Sequence, residues 1–480
     1  MKTAVIDIGS SFVKAALIDT AEGTVVEEKK MPAPAKRENA DPLLFEIGAD
    51  SYVQILRDML EEYTDKYPDT DSLLISTQMH GFIYRTEGMD PVYVSWQDMR
   101  CLHEKESGRT WLDDLHTIFP KEEMRSQGVD IKPSLGLCNL YTLLAEHPEV
   151  PRDGELYTLG SYLIYALTGK NICHATNAAP LGLLDVEKKC FSERILRKAG
   201  FERMHLPQLA ESDVQCCGTC CFHGREIRVY PDFGDQQTAI MGSAIREGEG
   251  FINIATAAQV GSVRSDFVPG NYEIRPYFNG QYLYVISNMP AGRGLDVLAD
   301  FLKDTVRKLT GAELTTAQFW TGAAQYFRED PEGIQVDMSF YPQPAKLDGG
   351  EIRGIFSYNL NLGTLISAAF TDMARTYRKN LEILSEGGRL SGLVCAGGVS
   401  WKQPELVRKI AAETGLPCRL SVSDDEAMEG LFHLALMCRG GDDRNRHLRN
   451  GKSEILSADA ERTGSRSASA SGKVREKEKW

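Results

Sequence analysis

The chain has 480 residues, of which 42% are hydrophobic and 25% are charged, and its formal net charge is −14. This length predicts two to four domains, and the acidic balance argues against nucleic acid or an acidic membrane as a partner. We find no apolar run typical of a membrane helix or a signal peptide, and eleven scattered cysteines favour a reducing compartment. We therefore expect a cytoplasmic globular protein.

The N-terminus predicts a β-hairpin with strands at residues 3–8 and 12–18. The turn at residues 9–11 is Gly-Ser-Ser, whose backbone N–H groups and hydroxyls are free to bind an anion. Asp7 stands beside them and is able to hold a metal ion through water. An ordinary hairpin turn explains the same residues, so this string alone leaves both interpretations open.

Two later strands end in polar residues, which is typical of ligand sites in open α/β sheets. A strand at residues 73–76 precedes a Gln-Met-His-Gly turn, and a strand at residues 92–96 precedes Gln-Asp-Met-Arg. Taken singly, His80 also fits an ordinary loop histidine. Asp98 and Arg100 also fit a surface ion pair.

The region from residue 102 to residue 201 is mainly helical in pattern. Helical spacing of apolar residues indicates segments at residues 103–119, 139–147 and 161–168. A further short helix begins after Ser192, which is a favourable N-cap residue.

Cys217 and Cys220 have the CxxC spacing of zinc and thiol-redox sites. A structural zinc site usually needs a second pair of ligands, and only His223 is close in sequence. We favour a small-residue loop between two elements, with a metal or redox role as the alternative.

The middle of the chain combines a strand at residues 227–230, a Pro-Asp-Phe-Gly-Asp-Gln-Gln sequence, and a helical pattern at residues 238–245. The Gly-Asp pair places the carboxylate of Asp235 at the mouth of a cleft, beside a backbone that a ligand can approach closely. Asp235 is therefore our candidate general base. An Asp at a helix start is also a common N-cap, so the local sequence supports either role.

The second half begins with a strand at residues 251–254 that ends in Ala-Thr-Ala-Ala. This resembles the N-terminal hairpin and suggests an internal duplication, with one phosphate-binding loop in each lobe. Strands at residues 275–277 and 281–287 follow, and a Pro-Ala-Gly-Arg-Gly sequence then opens a helix that ends at residue 309.

A long helix at residues 364–384 precedes a buried strand at residues 393–396, which ends in a Gly-Gly pair before a helix at residues 403–414. Glycine at such a turn lets a base or ribose lie against the backbone, although a simple strand-to-helix turn needs no ligand. The last apolar helix covers residues 425–438, and the polar, Ser-rich sequence beyond it predicts disorder.

Together and in this order, the motifs resemble those of the FGGY family of carbohydrate kinases, within the actin and hexokinase ATPase fold. The resemblance covers residues 1 to about 438. It rests on seven strings, which are Asp7-Ile8-Gly9-Ser10-Ser11, Gln78-Met79-His80-Gly81, Trp96-Gln97-Asp98-Met99-Arg100, Asn177-Ala178-Ala179, Gly234-Asp235-Gln236-Gln237, Ala255-Thr256-Ala257 and Gly397-Gly398-Val399-Ser400.

The resemblance implies an α/β protein with two RNase-H-like domains around a deep cleft. The N-terminal domain, residues 1–242, would carry the sugar site and the first phosphate loop. The C-terminal domain, residues 243–440, would bind the nucleotide, and residues 441–480 would form a disordered tail. The expected phosphoryl donor is ATP with Mg²⁺, and the expected acceptor is a small-molecule sugar.

The resemblance also implies roles for individual residues. Asp235 would be the catalytic base that accepts the proton of the sugar hydroxyl, and Asp7 would lie near Mg²⁺ and contact it through water. The residues expected to bind the sugar, besides Asp235, are Gln78, Met79, His80, Trp96, Asp98, Arg100, Asn177 and Gln236. The residues expected to bind the nucleotide are Ser10, Ser11, Lys14, Thr256, Gly292, Gly397, Gly398, Ser400 and Gln403.

The motifs favour a ketose acceptor, with sedoheptulose as the best candidate and xylulose or a polyol as alternatives. A catalytically inactive sensor of sugar or nucleotide is the alternative from another class. The chain departs from the family pattern at Ala255 and around Gly430, and we expect both departures to affect nucleotide fit. We expect a monomer or a homodimer.

Overall fold

The computed structural model describes residues 1–341, 349–385, 389–440 and 455–456. The strands are β1 (Lys2–Ile8), β2 (Phe12–Asp19), β3 (Thr24–Pro32), β4 (Glu46–Gly48), β5 (Thr70–Thr77), β6 (Phe82–Arg85), β7 (Val92–Val94), β8 (Glu155–Tyr157), β9 (Ile172–Cys173), β10 (Leu184–Asp185), β11 (Cys190–Phe191), β12 (Gln208–Leu209), β13 (Gly218–Phe222), β14 (Arg225–Gly234), β15 (Glu249–Ile254), β16 (Ala258–Arg264), β17 (Glu273–Pro276), β18 (Tyr282–Met289), β19 (Gln335–Asp337), β20 (Glu351–Arg353), β21 (Gly392–Ala396), β22 (Cys418–Leu420) and β23 (Ile455–Leu456).

The α-helices lie between these strands, and short 3₁₀ turns supplement them. They are α1 (Ala49–Lys66), α2 (Trp111–Ile118), α3 (Lys121–Arg125), α4 (Gly136–Glu146), α5 (Leu159–Thr168), α6 (Ala175–Ala178), α7 (Glu193–Ala199), α8 (Asp235–Gly242), α9 (Gly292–Thr310), α10 (Thr316–Ala324), α11 (Leu362–Leu384), α12 (Gly398–Lys402), α13 (Pro404–Thr414) and α14 (Glu426–Cys438).

Two large mixed sheets share one pairing pattern. In the first, with the order β13-β14-β5-β1-β2-β3, strand β1 pairs antiparallel with β2 and parallel with β5. In the second, with the order β17-β18-β16-β15-β21-β22-β23, strand β15 pairs antiparallel with β16 and parallel with β21. The predicted α/β fold with two similar lobes is therefore confirmed, and the repeated topology agrees with the suggested duplication.

Each sheet has its own hydrophobic core, and a further core joins the lobes. The joining core includes Val5 and Phe233 from the first half of the chain and Phe251 and Leu431 from the second half, all buried. Helix α14 packs on strand β1 and most extensively on helix α8. The last apolar helix thus returns to the first lobe and connects the two halves across the cleft.

The contact between α8 and α14 requires glycine on both helices. A Cβ atom at Gly242 would overlap the carbonyl oxygen of Glu426, and one at Gly430 would overlap that of Thr238. Gly430 therefore serves helix packing at the junction of the lobes. The expected effect of its sequence context on nucleotide fit stays a prediction.

Several predicted boundaries are wrong. The helix expected at residues 103–119 is a loop followed by α2, which begins after Thr110, the N-cap residue of a capping box with Asp113. The strand expected at residues 227–230 continues to Gly234, and the helix behind it begins at Asp235. Strand pairing with β5 keeps this segment extended up to the helix.

The cysteine-rich segment forms an edge strand, β13, and not the loop that we favoured. Cys217 is buried in the first core, whereas Cys216 and Cys221 are exposed. Among the described residues, no three His, Cys, Asp or Glu side chains converge as metal ligands. The CxxC spacing is therefore explained by strand packing.

Two further predictions concern the ends of the chain and the membrane. The expected disorder of residues 441–480 lies outside the described residues, apart from β23, which pairs antiparallel with β22. Within the described part of the chain, no helix is both long enough and apolar enough to cross a bilayer.

Candidate active site

The centre of the cleft is the junction of β14 and α8. Gly234 is the N-cap residue of α8 and Asp235 is the first residue within the helix, so Asp235 is not the N-cap. Its Oδ1 atom accepts a hydrogen bond of 2.8 Å from the N–H of Gln236. A Cβ atom at Gly234 would lie 2.6 Å from Sδ of Met79, so glycine here lets the Gln-Met-His-Gly turn pack beside Asp235.

The carboxylate of Asp235 is half-buried and retains a high proton affinity. Burial, followed by the charge of Asp7, raises its pKa to about 7, while the Gln236 N–H and the Arg275 guanidinium act in the opposite direction. Asp7 is itself buried on β1 and accepts a hydrogen bond of 2.6 Å from Oγ of Ser76. Burial also raises the pKa of Asp7. Two carboxylates thus influence each other in a largely desolvated space.

The two predicted phosphate loops occupy equivalent places in the two sheets. Residues 10 and 11 lie between β1 and β2, residues 255–257 lie between β15 and β16, and all five are exposed. The second loop is joined to the first turn of α9 by two hydrogen bonds. The N–H groups of Gly292 and Arg293 donate to the carbonyls of Ala255 and Thr256, at 3.0 and 3.1 Å. Both loops therefore present polar groups to solvent at the cleft.

Lys14 has a partner on the opposite lobe. Its ammonium group lies 2.8 Å from the carboxylate of Asp425, the N-cap residue of α14. Both side chains are about one quarter exposed, so the pair is accessible at the cleft surface. In this structure Lys14 holds the lobes together instead of presenting a free charge.

The other predicted nucleotide-binding residues divide into accessible and buried groups. Gly398 is exposed and a Cβ atom there would meet nothing, while Gly397 has a left-handed φ of 83°. Ser400 is buried, and its hydroxyl donates to the carbonyl of Ala396 at 2.7 Å. Gln403 is half-buried between α12 and α13. Ser400 thus supports the turn and does not face the cleft.

A cavity of about 320 Å³ lies next to the second loop. Residues from three segments line it, among them Thr256, Asn288, Arg293, Met338 and Tyr341. The guanidinium of Arg293 lies 5.1 Å from the ring centroid of Tyr341, a cation–π arrangement. None of these residues except Thr256 was predicted, since none forms a recognisable short motif.

The Gln-Met-His-Gly turn packs against Gly234, beside Asp235, and is conformationally strained. His80 has a φ of 70°, which non-glycine residues adopt rarely. Among the described residues, Nδ1 of His80 and Oε1 of Gln78 are buried without a hydrogen-bond partner. Burial, with Lys132 and Arg275 nearby, lowers the pKa of His80 well below its ordinary value. A neutral imidazole and an amide oxygen are thus available to a ligand.

Trp96 is 38% exposed, a high value for such a large apolar side chain. Its two predicted partners in the same motif are instead fully committed within the protein. Asp98 and Arg100 form a buried ion pair with a distance of 2.8 Å, and Asp98 also accepts the N–H of Phe45. Arg100 bonds in addition to Glu46. The prediction that Asp98 and Arg100 contact the sugar is therefore not supported by their environment, and the pair fixes the loop at residue 45.

Asn177 is likewise buried, and its amide group donates to Oγ1 of Thr77 at 3.0 Å and to Oδ2 of Asp232 at 3.1 Å. These contacts join α6 to strands β5 and β14. Asn177 therefore supports the strand that carries Asp235, and the prediction that it binds the sugar directly is not supported by this geometry.

Sequence reasoning missed one polar cluster beside Asp235. Arg275 donates to Oε1 of Gln236 at 2.5 Å and is paired with Glu273, which is paired in turn with Lys132. Gln236 also donates to Oε1 of Gln259. No signal in the sequence joins Lys132 to Glu273, because 141 positions separate them and neither belongs to a motif.

Two lobes of one topology, with a small-residue loop from each sheet, form a fold of the actin and hexokinase type. A family model described as the N-terminal domain of the FGGY family of carbohydrate kinases matches residues 3–240. Residues 3–240 of the chain therefore belong to the FGGY family of carbohydrate kinases. Sugar kinases of this family use ATP as the phosphoryl donor.

Relatives and solved structures agree with this assignment. The chain is 26% identical over 341 residues to sedoheptulokinase from Homo sapiens, covering 62% of the chain and 67% of that enzyme. It is 23% identical to L-fuculokinase from Salmonella typhi, covering 83% and 85%. Xylulose kinase from Rhodospirillum rubrum has the same fold, with a TM-score of 0.82, 16% identity, and coverage of 96% and 95%.

Proposed function

We propose that the chain transfers the γ-phosphoryl group of ATP to one hydroxyl of a ketose, with sedoheptulose as the leading candidate. The observation that carries this proposal is the state of Asp235, a half-buried carboxylate between the acceptor turn and Asp7, with a pKa raised to about 7. A general base works best when its pKa lies near the working pH. The similarity to sedoheptulokinase supports the choice of sugar.

Asp235 acts as the base in this proposal. The attacking hydroxyl gives its proton to the carboxylate as the new O–P bond forms and the bond to the ADP oxygen breaks. Phosphoryl transfer depends mainly on positioning and on neutralising charge at the transferred oxygens. The loops at residues 9–11 and 255–257 offer N–H and hydroxyl donors for this purpose, and the gap between the lobes excludes water when it closes.

The residues present fit a magnesium ion. Mg²⁺ usually takes one or two carboxylates together with waters and phosphate oxygens. Asp7 offers a carboxylate of which Oδ1 accepts from Ser76, and its charge raises the pKa of Asp235 nearby. A divalent cation beside them would relieve this repulsion and supply charge neutralisation. We propose Asp7 as its contact through water.

We also propose a domain boundary between residues 242 and 243, a cytoplasmic location, and an oligomeric state of monomer or homodimer. The strands of the first sheet all precede Asp235 and those of the second all follow Gly242. A boundary at the end of α8 is consistent with this separation.

The test is an assay of ADP release with Mg-ATP and a panel of sedoheptulose, xylulose, ribulose, fructose and glycerol. We expect sugar-dependent ADP release, with the highest kcat/KM for sedoheptulose. A higher kcat/KM for xylulose would move the assignment to a five-carbon ketose. No sugar-dependent release with any acceptor would contradict an active kinase for these sugars and favour the sensor alternative.

A further inference from the structure

A polar cluster of three charged residues lies between the lobes beside Asp235. Nζ of Lys132 is 2.5 Å from Oε1 of Glu273, and Nη2 of Arg275 is 2.7 Å from Oε2 of the same carboxylate. Lys132 lies between α3 and α4 of the first lobe, whereas Glu273 and Arg275 lie on β17 of the second. Two cations thus share one carboxylate across the cleft.

Neighbouring contacts place this cluster at the acceptor side. Arg275 donates to Gln236, the residue after Asp235. Gly136, four residues after Lys132, is so close to the Gln-Met-His-Gly turn that a Cβ atom there would lie 2.9 Å from the carbonyl oxygen of His80. The cluster therefore continues the acceptor side beyond His80 and Gln236.

Backbone contacts fix the position of the cluster in both lobes. The N–H of Ile274 donates to the carbonyl of Gly128 at 2.9 Å, so β17 is tied to the segment that leads to Lys132. The side chain of Gln237 donates to the carbonyl of Pro276 at 3.2 Å. The three charged side chains are thus held by flanking hydrogen bonds, as a preorganised binding site requires.

The chemistry of the cluster suits neighbouring hydroxyl groups. The side chains of Lys132 and Glu273 are 21% and 17% exposed, so solvent in the cleft reaches both. Burial acts to raise the pKa of Glu273, but the charges of Lys132 and Arg275 together outweigh burial and lower it, which keeps the carboxylate ionised as an acceptor. An ammonium group has three donor hydrogens. One of those of Lys132 already bonds to Glu273, which leaves the others for a ligand. A donor and an acceptor side by side match two adjacent hydroxyls of a sugar.

We propose that Lys132 and Glu273 form the far end of the acceptor site and bind two adjacent hydroxyls at the end of a ketose remote from the transferred phosphoryl group. Arg275 is a positioning residue that holds Glu273 and Gln236. This inference rests on the proposed function and adds to it an expected discrimination by chain length, because a five-carbon ketose has two carbons fewer than sedoheptulose with which to reach this end of the site.

The test compares Lys132→Met with the wild type on sedoheptulose, fructose and xylulose. We expect the KM for sedoheptulose to rise roughly tenfold or more, as for loss of a charged hydrogen bond. The KM for xylulose, the KM for ATP and kcat should stay close to wild type. Lys189→Met is the matched control, since Lys189 also reaches across to the second lobe, at Gly280, but lies outside the cluster.

A second variant controls for misfolding of Lys132→Met, which leaves Glu273 without one of its two cationic partners. The double variant Lys132→Met and Glu273→Gln removes both partners and should show the same selective rise in KM. Equal rises for long and short ketoses would overturn the inference and leave the proposed function intact. Gluconate is assayed as a further acceptor. If the wild type prefers gluconate to the ketoses and Lys132→Met loses this preference, the cluster binds a carboxylate, and the inference would also be overturned. No turnover of any ketose by the wild type would overturn both proposals.

Discussion

Two aspartates lie three residues apart at the end of β14, and they differ in their surroundings, since Asp232 is buried and Asp235 is half-buried. Asp232 accepts hydrogen bonds from Oγ1 of Thr158 at 2.7 Å, the N–H of His174 at 2.6 Å and the amide of Asn177. Asp235 accepts a bond from the adjacent N–H of Gln236 and otherwise faces the cleft.

Burial raises the pKa of both carboxylates, to about 6 for Asp232 and to about 7 for Asp235. Burial alone therefore does not separate a structural carboxylate from a reactive one. The two carboxylates differ in their hydrogen-bond partners. Asp232 already accepts three hydrogen bonds inside the first lobe, whereas Asp235 accepts one and has oxygen lone pairs left for a ligand. The following substitutions test this difference, from the largest expected effect to the smallest.

Asp232→Ala should destabilise the protein by about 3 kcal/mol or more, because it removes the acceptor of three buried donors, of which the Asn177 amide keeps a further partner in Oγ1 of Thr77. Urea unfolding measures this loss. Thr158→Val, which removes one of the three donors and also the N-cap of α5, should cost about 1 to 2 kcal/mol. A loss for Asp232→Ala below that of Thr158→Val would mean that Asp232 does not organise its pocket.

Asp235→Asn should instead stabilise the protein at about pH 8, by on the order of 2 kcal/mol. The pKa of Asp235 is raised from 3.8 in the reference state to about 7 in the fold. Between these values the folded chain binds more protons than the unfolded chain, so its stability falls as pH rises. Asparagine carries no charge, so the stability of the variant does not fall over this pH range for this reason.

Urea unfolding at about pH 8 and about pH 4.5 tests this prediction. The gain in the free energy of unfolding of Asp235→Asn over the wild type should largely disappear at the lower pH. Asp153→Asn is the control, because Asp153 forms an exposed pair with Arg203 and should change little at either pH. Destabilisation by Asp235→Asn at both values would show that Asp235 is a structural residue like Asp232.

His80→Asn should raise the KM for the sugar roughly tenfold, with little change in the KM for ATP or in stability. Asparagine tolerates the left-handed backbone of this position better than alanine does, so the turn is kept. Steady-state kinetics with each substrate varied in turn measures both constants. A change confined to ATP would remove His80 from the acceptor side of the Asp235 pocket.

Local patterns predicted the parts of the fold that depend on neighbouring residues. The hairpin of β1 and β2, the N-cap at Ser192 and the Gly-Asp junction all depend on a few adjacent positions. The helix expected at residues 103–119 was wrong because the capping box at Thr110 sets a later start than apolar spacing suggests.

The sequence could not show which polar residues are already committed to partners. Asp98, Arg100 and Asn177 belong to recognisable motifs, yet their hydrogen bonds lie inside the first lobe. Conversely, Lys132 and Glu273 belong to no motif and meet only because β17 docks on the other lobe. Motif order thus pointed to the family and to Asp235 as the proposed base, while the cluster that we propose for the outer part of the acceptor site depends on long-range packing.

The most direct test of Asp235 as the base is kcat for sedoheptulose in Asp235→Asn, measured beside the wild type with Mg-ATP. We predict a fall of roughly 10²- to 10⁴-fold, the usual contribution of a positioned general base, with binding of a non-hydrolysable ATP analogue retained. A kcat close to wild type in a folded, ATP-binding Asp235→Asn protein would contradict the account.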